Sequence, residues 1–226
     1  MSELAALAAV IVQQAQAIGA TEAECTVSEG QEFSVSVRMG EVEELTQAGS
    51  RGAGIRVLVG QNSGSSHSSD LTPEGINRMV RTALELARIT TPDPFAGLPD
   101  ASTLGIYAGD LQLFDESIEH LDTAWKIAQA KEAERVALAF DPRIQNSDGG
   151  GFSSYLGERA FANTRGFVGS YRTSSCGLHA SPVARDGDGM EREYWHSSVR
   201  WAKNLESAEY EPVKVNPLTI RNYETN

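Results

Sequence analysis

Hydrophobic positions along the chain change period several times, and each change marks an element. Leu4, Leu7, Ile11 and Ile18 recur at helical spacing among alanines. Ser2 stands where an N-cap belongs and Gly19 is a natural stop, so the chain is expected to open on a helix. The period then drops to two. Ala23, Cys25 and Val27 alternate with Glu22, Glu24 and Thr26; after Glu29-Gly30, Phe33, Val35, Val37 and Met39 alternate with Glu32, Ser34, Ser36 and Arg38. That is the pattern of a sheet with one wet face. Met39-Gly40-Glu41 predicts a tight turn, and Val42 to Gln47 a further strand. Gly49 to Gly54 predicts a glycine-rich break, after which Ile55, Val57 and Val59 resume the alternation. The polar stretch from Gln61 to Ser69 fits a last strand.

Thr72-Pro73-Glu74 starts a second helix, with Thr72 as cap, Pro73 at the first helical position, and Ile76, Met79, Val80, Ala83, Leu84 and Ala87 as its apolar stripe. The stretch from Thr91 to Leu113 holds three of the eight prolines and reads as a connecting loop. A third helix is expected from about Asp115 to Ala139, burying Ile118, Leu121, Trp125, Ala128 and Val136. From Arg143 to Arg200 the alternation returns, interrupted by Gly149-Gly150-Gly151, Gly157, Gly166 and Asp186-Gly187-Asp188-Gly189. A helix followed by an antiparallel meander thus occurs twice. The expected class is α+β, with a first subdomain over 1–90, a connecting loop over 91–114, a second subdomain over 115–207 and an atypical tail over 208–226.

Charge and composition narrow the function. With 31 acidic against 19 basic side chains the net charge is −12, which repels a phosphate backbone and argues against nucleic acid as a partner. Two cysteines, Cys25 and Cys176, cannot staple a disulfide scaffold or form a zinc knuckle. No apolar run reaches the ~18 residues of a membrane span. The alanine-rich start lacks the basic residues of a signal peptide, so a soluble cytoplasmic protein is expected.

Motif by motif, the chain carries few marks of known chemistry. His67, His120, His179 and His196 are widely spaced, and none pairs at i+3 or i+4 as on a zinc helix. Counted from Asp186, a calcium loop would need an oxygen ligand at position 190 and glycine at 191; Met190 and Glu191 stand there, so a hairpin explains the run better. Gly52-Ala53-Gly54 lacks the third glycine and the helix of a dinucleotide fingerprint. Cys176 and His179 are three apart, which places them on opposite faces of a strand, and both thiols read as buried structural groups. The pairs among Glu41, Glu43 and Glu44, or Glu191 and Glu193, fit solvated strand faces. The aromatic cluster Tyr194, Trp195 and Trp201 is more distinctive. Trp195, Val199 and Trp201 would share one strand face, either as core or as an apolar patch covered by a partner or peptide.

Two stretches carry a resemblance. The first runs from Glu41-Val-Glu-Glu-Leu through Arg51-Gly-Ala-Gly-Ile-Arg-Val-Leu-Val and Ser69-Asp-Leu into the helix with Ala83-Leu-Glu-Leu-Ala87. The second comprises Ala162-Asn-Thr-Arg-Gly-Phe167, Tyr171-Arg-Thr-Ser-Ser-Cys176 and Asp186-Gly-Asp-Gly-Met-Glu-Arg-Glu-Tyr-Trp195. In order and spacing they resemble the N-terminal half of the TldD/PmbA proteins, also described as modulators of DNA gyrase, and the PmbA (TldE) side in particular.

The resemblance implies a two-subunit peptidase acting on small or unfolded peptides. One subunit type carries a His-Glu-x-x-x-His zinc helix; the PmbA-like subunit generally lacks it and completes the assembly. No position here matches that helix, so no catalytic or metal residue is carried over. Zinc is expected in a TldD-like partner rather than in this chain, and a homo-oligomer is also expected. After Arg200 the family continues into an alanine- and arginine-rich helix, whereas here Glu211-Pro-Val-Lys-Val-Asn-Pro217 follows. This ending reads as a truncation, a frameshift or a short paralogue. The leading expectation is therefore a structural, non-catalytic N-terminal module of a PmbA-like subunit. The alternative is a stand-alone paralogue that binds peptides or proteins.

Overall fold

A computed structural model describes residues 1–105 and 109–206. The order is α1 (Glu3–Ala17), β1 (Glu22–Arg38), β2 (Glu41–Val59), β3 (Asn62–Ser68), α2 (Pro73–Ile89), α3 (Thr123–Ala139), β4 (Ile144–Asn163), β5 (Val168–Asp186), β6 (Gly189–Arg192) and β7 (Trp195–Val199). Short 3₁₀ turns occupy Ala101–Thr103, Glu116–His120 and Ala202–Asn204. The strands follow the order β3-β2-β1-β4-β5-β6, with β7 also paired to β5. The pairs formed by β2 with β3 and by β5 with β6 and β7 are antiparallel. This is the expected α+β class. The tail assigned from the sequence to 208–226 lies outside the described residues.

The chain divides into two compact units, each assembled from three stretches: 1–30, 49–111 and 157–172 in the first, and 31–48, 112–156 and 173–226 in the second. Strands β1, β2, β4 and β5 pass from one unit into the other.

In the first unit, Ser2 caps α1 by accepting from the Ala5 amide, and Thr72 caps α2 by accepting from Gly75. The α2 stripe is buried as its sequence predicts. Along α1, Ile11 of the expected stripe is buried with Ala5, Ala8, Val12 and Ala15, and Leu4, Leu7 and Ile18 pack half-buried against the same core. These side chains pack on Ala23, Cys25 and Val27 of β1, Ile55 and Val57 of β2, and Ala160 and Ala162 of β4. Gly64 on β3 meets α2 directly, since a Cβ there would lie 2.2 Å from the Ala83 carbonyl oxygen.

In the second unit a single helix, α3, covers the core, and two expectations are corrected. The helix begins at Thr123 rather than Asp115, because Asp115 and Asp122 each cap a separate element by accepting from Ser117 and Ala124 amides. Its buried face is Lys126, Ala130, Ala133, Glu134 and Ala137, and Trp125 is exposed. The cause lies in β4. A Cβ on Gly150 would sit 2.8 Å from the Ala130 carbonyl oxygen, so the helix rides close on a glycine and presents alanines to it. The glycine runs at 49–54 and 149–151 therefore do not break the strands: β2 and β4 run through them. The Asp186–Gly189 run forms the β5–β6 hairpin turn, with Asp186 opposite Gly189.

Candidate functional site

The most distinctive chemistry of the second unit gathers where β5 meets β7. In that ladder Cys176 pairs with Val199, Leu178 with Ser197, His179 with His196 and Ala180 with Trp195. Because side chains alternate across a strand, Cys176, Leu178 and Ala180 enter the core while His179 projects from the other face. Cys176 and His179 therefore do not meet.

The three aromatic residues singled out in the sequence fall in different places. Trp195 is buried among Phe33, Ile118, Phe152 and Leu178. Tyr194, one residue earlier, is 55% exposed. Its ring stacks on His179 at 6.0 Å and on His196 at 5.5 Å between centroids. Trp201 is half-buried; its indole N–H donates to the Gln112 carbonyl at 3.0 Å, and the Lys203 ammonium lies 5.0 Å over its ring. The His179–Tyr194–His196 stack joins two neighbouring antiparallel strands, β5 and the start of β7. Its one sequence signal is that positions 194 and 196 share a strand face in the tight antiparallel return.

Buried polar groups fix the segments around this surface. The Ser174 hydroxyl accepts from the Asp115 amide at 2.8 Å and donates to the Arg200 carbonyl at 2.9 Å. The Asp115 carboxylate accepts from the Ser117 amide at 3.0 Å and the Ala202 amide at 2.8 Å. Burial pushes this acid upward, but hydrogen bonds from the Ser117 hydroxyl and from the Ala202 and Ser117 amides outweigh it and hold the carboxyl below its ordinary range. At the other end of the unit, Glu134 accepts from the Met39 amide at 2.9 Å and the Gly40 amide at 2.8 Å. Both turn residues have positive φ, 51° and 81°, which aims successive N–H groups at one carboxylate. No local pattern marks Glu134, since its partners lie far along the chain.

The first unit carries a shallow cup of about 370 Å³ lined by Glu24, Arg56, Ser65, His67 and Phe161 among others. Its cation is already engaged: Arg56 donates to Glu24 at 2.6 Å and to the Gly97 carbonyl at 3.3 Å. With its charge neutralised, the cup is a poor anion site.

Nucleophilic chemistry finds no support in the thiols. Burial pushes Cys25 up to about 12, and burial with the nearby Asp115 charge pushes Cys176 up to about 11, so both stay protonated and weakly reactive. Among the described residues, no group of three or more His, Cys, Asp or Glu side chains is placed to hold a metal ion. No described helix is long and apolar enough to cross a membrane.

Comparison with known proteins matches these features to a family. A sequence model of the PmbA/TldA metallopeptidase domain 1 matches residues 23–87, and one of the PmbA/TldA metallopeptidase central domain matches residues 116–215. Metalloprotease PmbA of Escherichia coli O157:H7 is 38% identical over 188 residues, spanning 83% of this chain and 41% of that protein. A Metalloprotease PmbA homolog of Haemophilus influenzae is 33% identical over 205 residues, spanning 91% and 45%. Among solved structures, a candidate modulator of DNA gyrase from Bacteroides thetaiotaomicron superposes with a TM-score of 0.84 at 22% identity, over 92% of this chain and 47% of that one. TldE from Thermococcus kodakarensis does so with 0.74 at 16% identity, over 84% and 42%. The chain spans less than half the length of each of these relatives.

Proposed function

Because the chain belongs to the PmbA/TldD metallopeptidase family, we propose that it forms the N-terminal module of a PmbA-like subunit. In that role it builds wall and subunit interface for a cytoplasmic assembly that cleaves small or unfolded peptides. Zinc, which the family implies, does not fit the described residues of this chain: His67, His120, His179 and His196 gather no further ligands, and no other group of donors is placed for a metal. The metal-bearing part of the assembly would be a TldD-like partner subunit.

The observation that carries this reading is the match of two family domains, 23–87 and 116–215, in a chain whose described residues offer no ligand cluster. Exposed Tyr194, stacked on His179 and His196, and half-buried Trp201, flanked by the hydrogen bonds of Ser174 to Arg200 and of Asp115 to Ala202, are the proposed partner or peptide contacts. Trp195 supports them from the core. Co-purification from the native host with mass and zinc analysis tests the reading. A zinc-bearing partner is expected. Stoichiometric zinc and peptide cleavage by the isolated chain would overturn it.

A second reading, a stand-alone peptide- or protein-binding module, is favoured by one feature: the first eleven residues of β2 are all exposed.

A further inference from the structure

Strand β2 is covered very unevenly along its length. Its second half is paired with β3, from Ala53 opposite Ser68 to Val59 opposite Asn62. Because β3 ends the strand order, no described strand lies outside β2 before residue 53. Residues 41–51 are exposed throughout, so neither face of this stretch is packed. Within 41–48, which belongs to the second unit, Val42 and Leu45 fall on opposite faces and are 41% and 44% exposed.

An unpaired edge presents N–H and C=O groups ready to pair with another strand. Proteins usually blunt such edges with lysine, proline, a bulge or a covering element. The run Glu41-Val-Glu-Glu-Leu-Thr-Gln-Ala48 contains no lysine, proline or glycine. It also leaves a fixed turn, because Glu134 holds the Met39 and Gly40 amides. A strand held straight in advance loses little freedom when it gains a neighbour.

Charge selects the neighbour. Glu41 and Glu43 share a face with Leu45, and Glu44 shares the other with Val42; the run has no basic residue. Opposite charges across a strand pair stabilise it and like charges directly opposite destabilise it. A second copy paired in parallel and in register would set Glu41, Glu43 and Glu44 each against its own copy, and in any register it brings no basic side chain to answer them, whereas a basic segment does.

We propose that residues 41–48 are a strand-addition site for an extended peptide segment carrying lysine or arginine at alternate positions. Backbone hydrogen bonds would hold the segment, Glu41 and Glu43 on one face would select its basic side chains, and Val42 on the other would meet its apolar ones. The proposal rests on the binding-module reading and names its ligand.

The test uses the full chain and fluorescently labelled, end-blocked eight-residue peptides. One alternates lysine and valine, a second alternates glutamate and valine, and a third is the lysine peptide N-methylated at alternate amides. Anisotropy titration is expected to show saturable binding of the first and about tenfold or weaker binding of the other two. The triple variant Glu41→Lys/Glu43→Lys/Glu44→Lys changes exposed side chains only and is expected to invert the preference between the lysine and glutamate peptides. Hydrogen exchange on the unmodified chain is expected to show amides of 41–48 slowing when the lysine peptide is added, a readout that does not depend on any variant folding.

Equal binding of the N-methylated peptide would overturn strand addition. Equal binding of the lysine peptide by the triple variant would place it elsewhere on the acidic surface and overturn the site. Slowed exchange at 41–48 with no preference for the lysine peptide would leave a binding module but overturn the proposed ligand. No binding, with dimerisation lost on Leu45→Pro, would make a second copy the occupant and overturn the proposal.

Discussion

The two units solve the same packing problem with different materials. In the first, two helices cover the sheet, and among the described residues its buried side chains are apolar apart from Asn163. In the second, one helix does so, and Asp115, Lys126, Glu134, Ser147, Ser154, Ser174 and Ser197 are buried with the core. Apolar burial is large but non-directional, contributing about 25 cal/mol per Å² wherever the surface is covered. Buried polar groups contribute less net stability, yet each demands particular partners. The first unit is thus built to be stable. The second fixes the positions of specific segments: the 39–40 turn through Glu134, and residues 112–117 and 200–202 through Asp115 and Ser174. Such positional control suits a unit proposed to meet a partner or peptide.

The largest expected effect strikes the first unit. In Gly64→Ala the new Cβ would lie 2.2 Å from the Ala83 oxygen and 2.4 Å from the Ala87 nitrogen, both helix backbone, so α2 must shift. A loss of about 3 kcal/mol or more is expected. All three tryptophans, Trp125, Trp195 and Trp201, belong to the second unit, so fluorescence reads that unit while far-UV circular dichroism reads both. Under urea the dichroism midpoint should fall further than the fluorescence midpoint. A coincident fall would break the comparison, because the shared strands would then join both cores into one cooperative structure.

Next comes the clamp in the second unit. Glu134→Ala leaves the Met39 and Gly40 amides without their acceptor and is expected to cost about 2–4 kcal/mol by fluorescence-detected unfolding. Glu134→Gln keeps one acceptor oxygen and should cost about half as much. Identical losses for the two variants would show that packing rather than the carboxylate matters. Ser174→Ala is milder: it unpairs the Asp115 amide and the Arg200 carbonyl, for about 1–2 kcal/mol. A loss as small as a surface substitution would mean that water replaces the hydroxyl.

The same contrast explains which features the sequence disclosed. Helix α2 was legible because Ile76, Met79, Val80 and Leu84 are large, and large apolar residues mark a face. The face of α3 departs from expectation because alanines are buried there, and alanine in a helix carries no directional signal. Glycine runs read as breaks because a local window cannot distinguish a turn from a close approach; Gly150 is explained only by α3 lying on it. In the candidate surface, the cluster at 194–201 was visible, but its division into exposed Tyr194 and buried Trp195 depended on the register of β7 against β5. His179 was visible as a histidine but not as a stacking partner of Tyr194, which needs the β5–β7 register, and Glu134 carries no local signal because Met39 and Gly40 are distant in sequence.

The smallest effect is a pH dependence centred on His179. Burial holds its pKa below the ordinary 6.5, with the Tyr194 ring stacked on it and His196 opposite in the ladder. On acidification the unfolded chain therefore takes up this proton before the folded chain does. Between those two values unfolding is favoured as pH falls, so the histidine's contribution is intact above about 6.5 and is lost progressively below it. Fluorescence-detected urea midpoints should decline from pH 7.5 to pH 5.5, by less than the Ser174→Ala effect. His179→Gln should flatten that decline while leaving the dichroism baseline unchanged. An equal decline in the variant would assign the acid sensitivity to other groups.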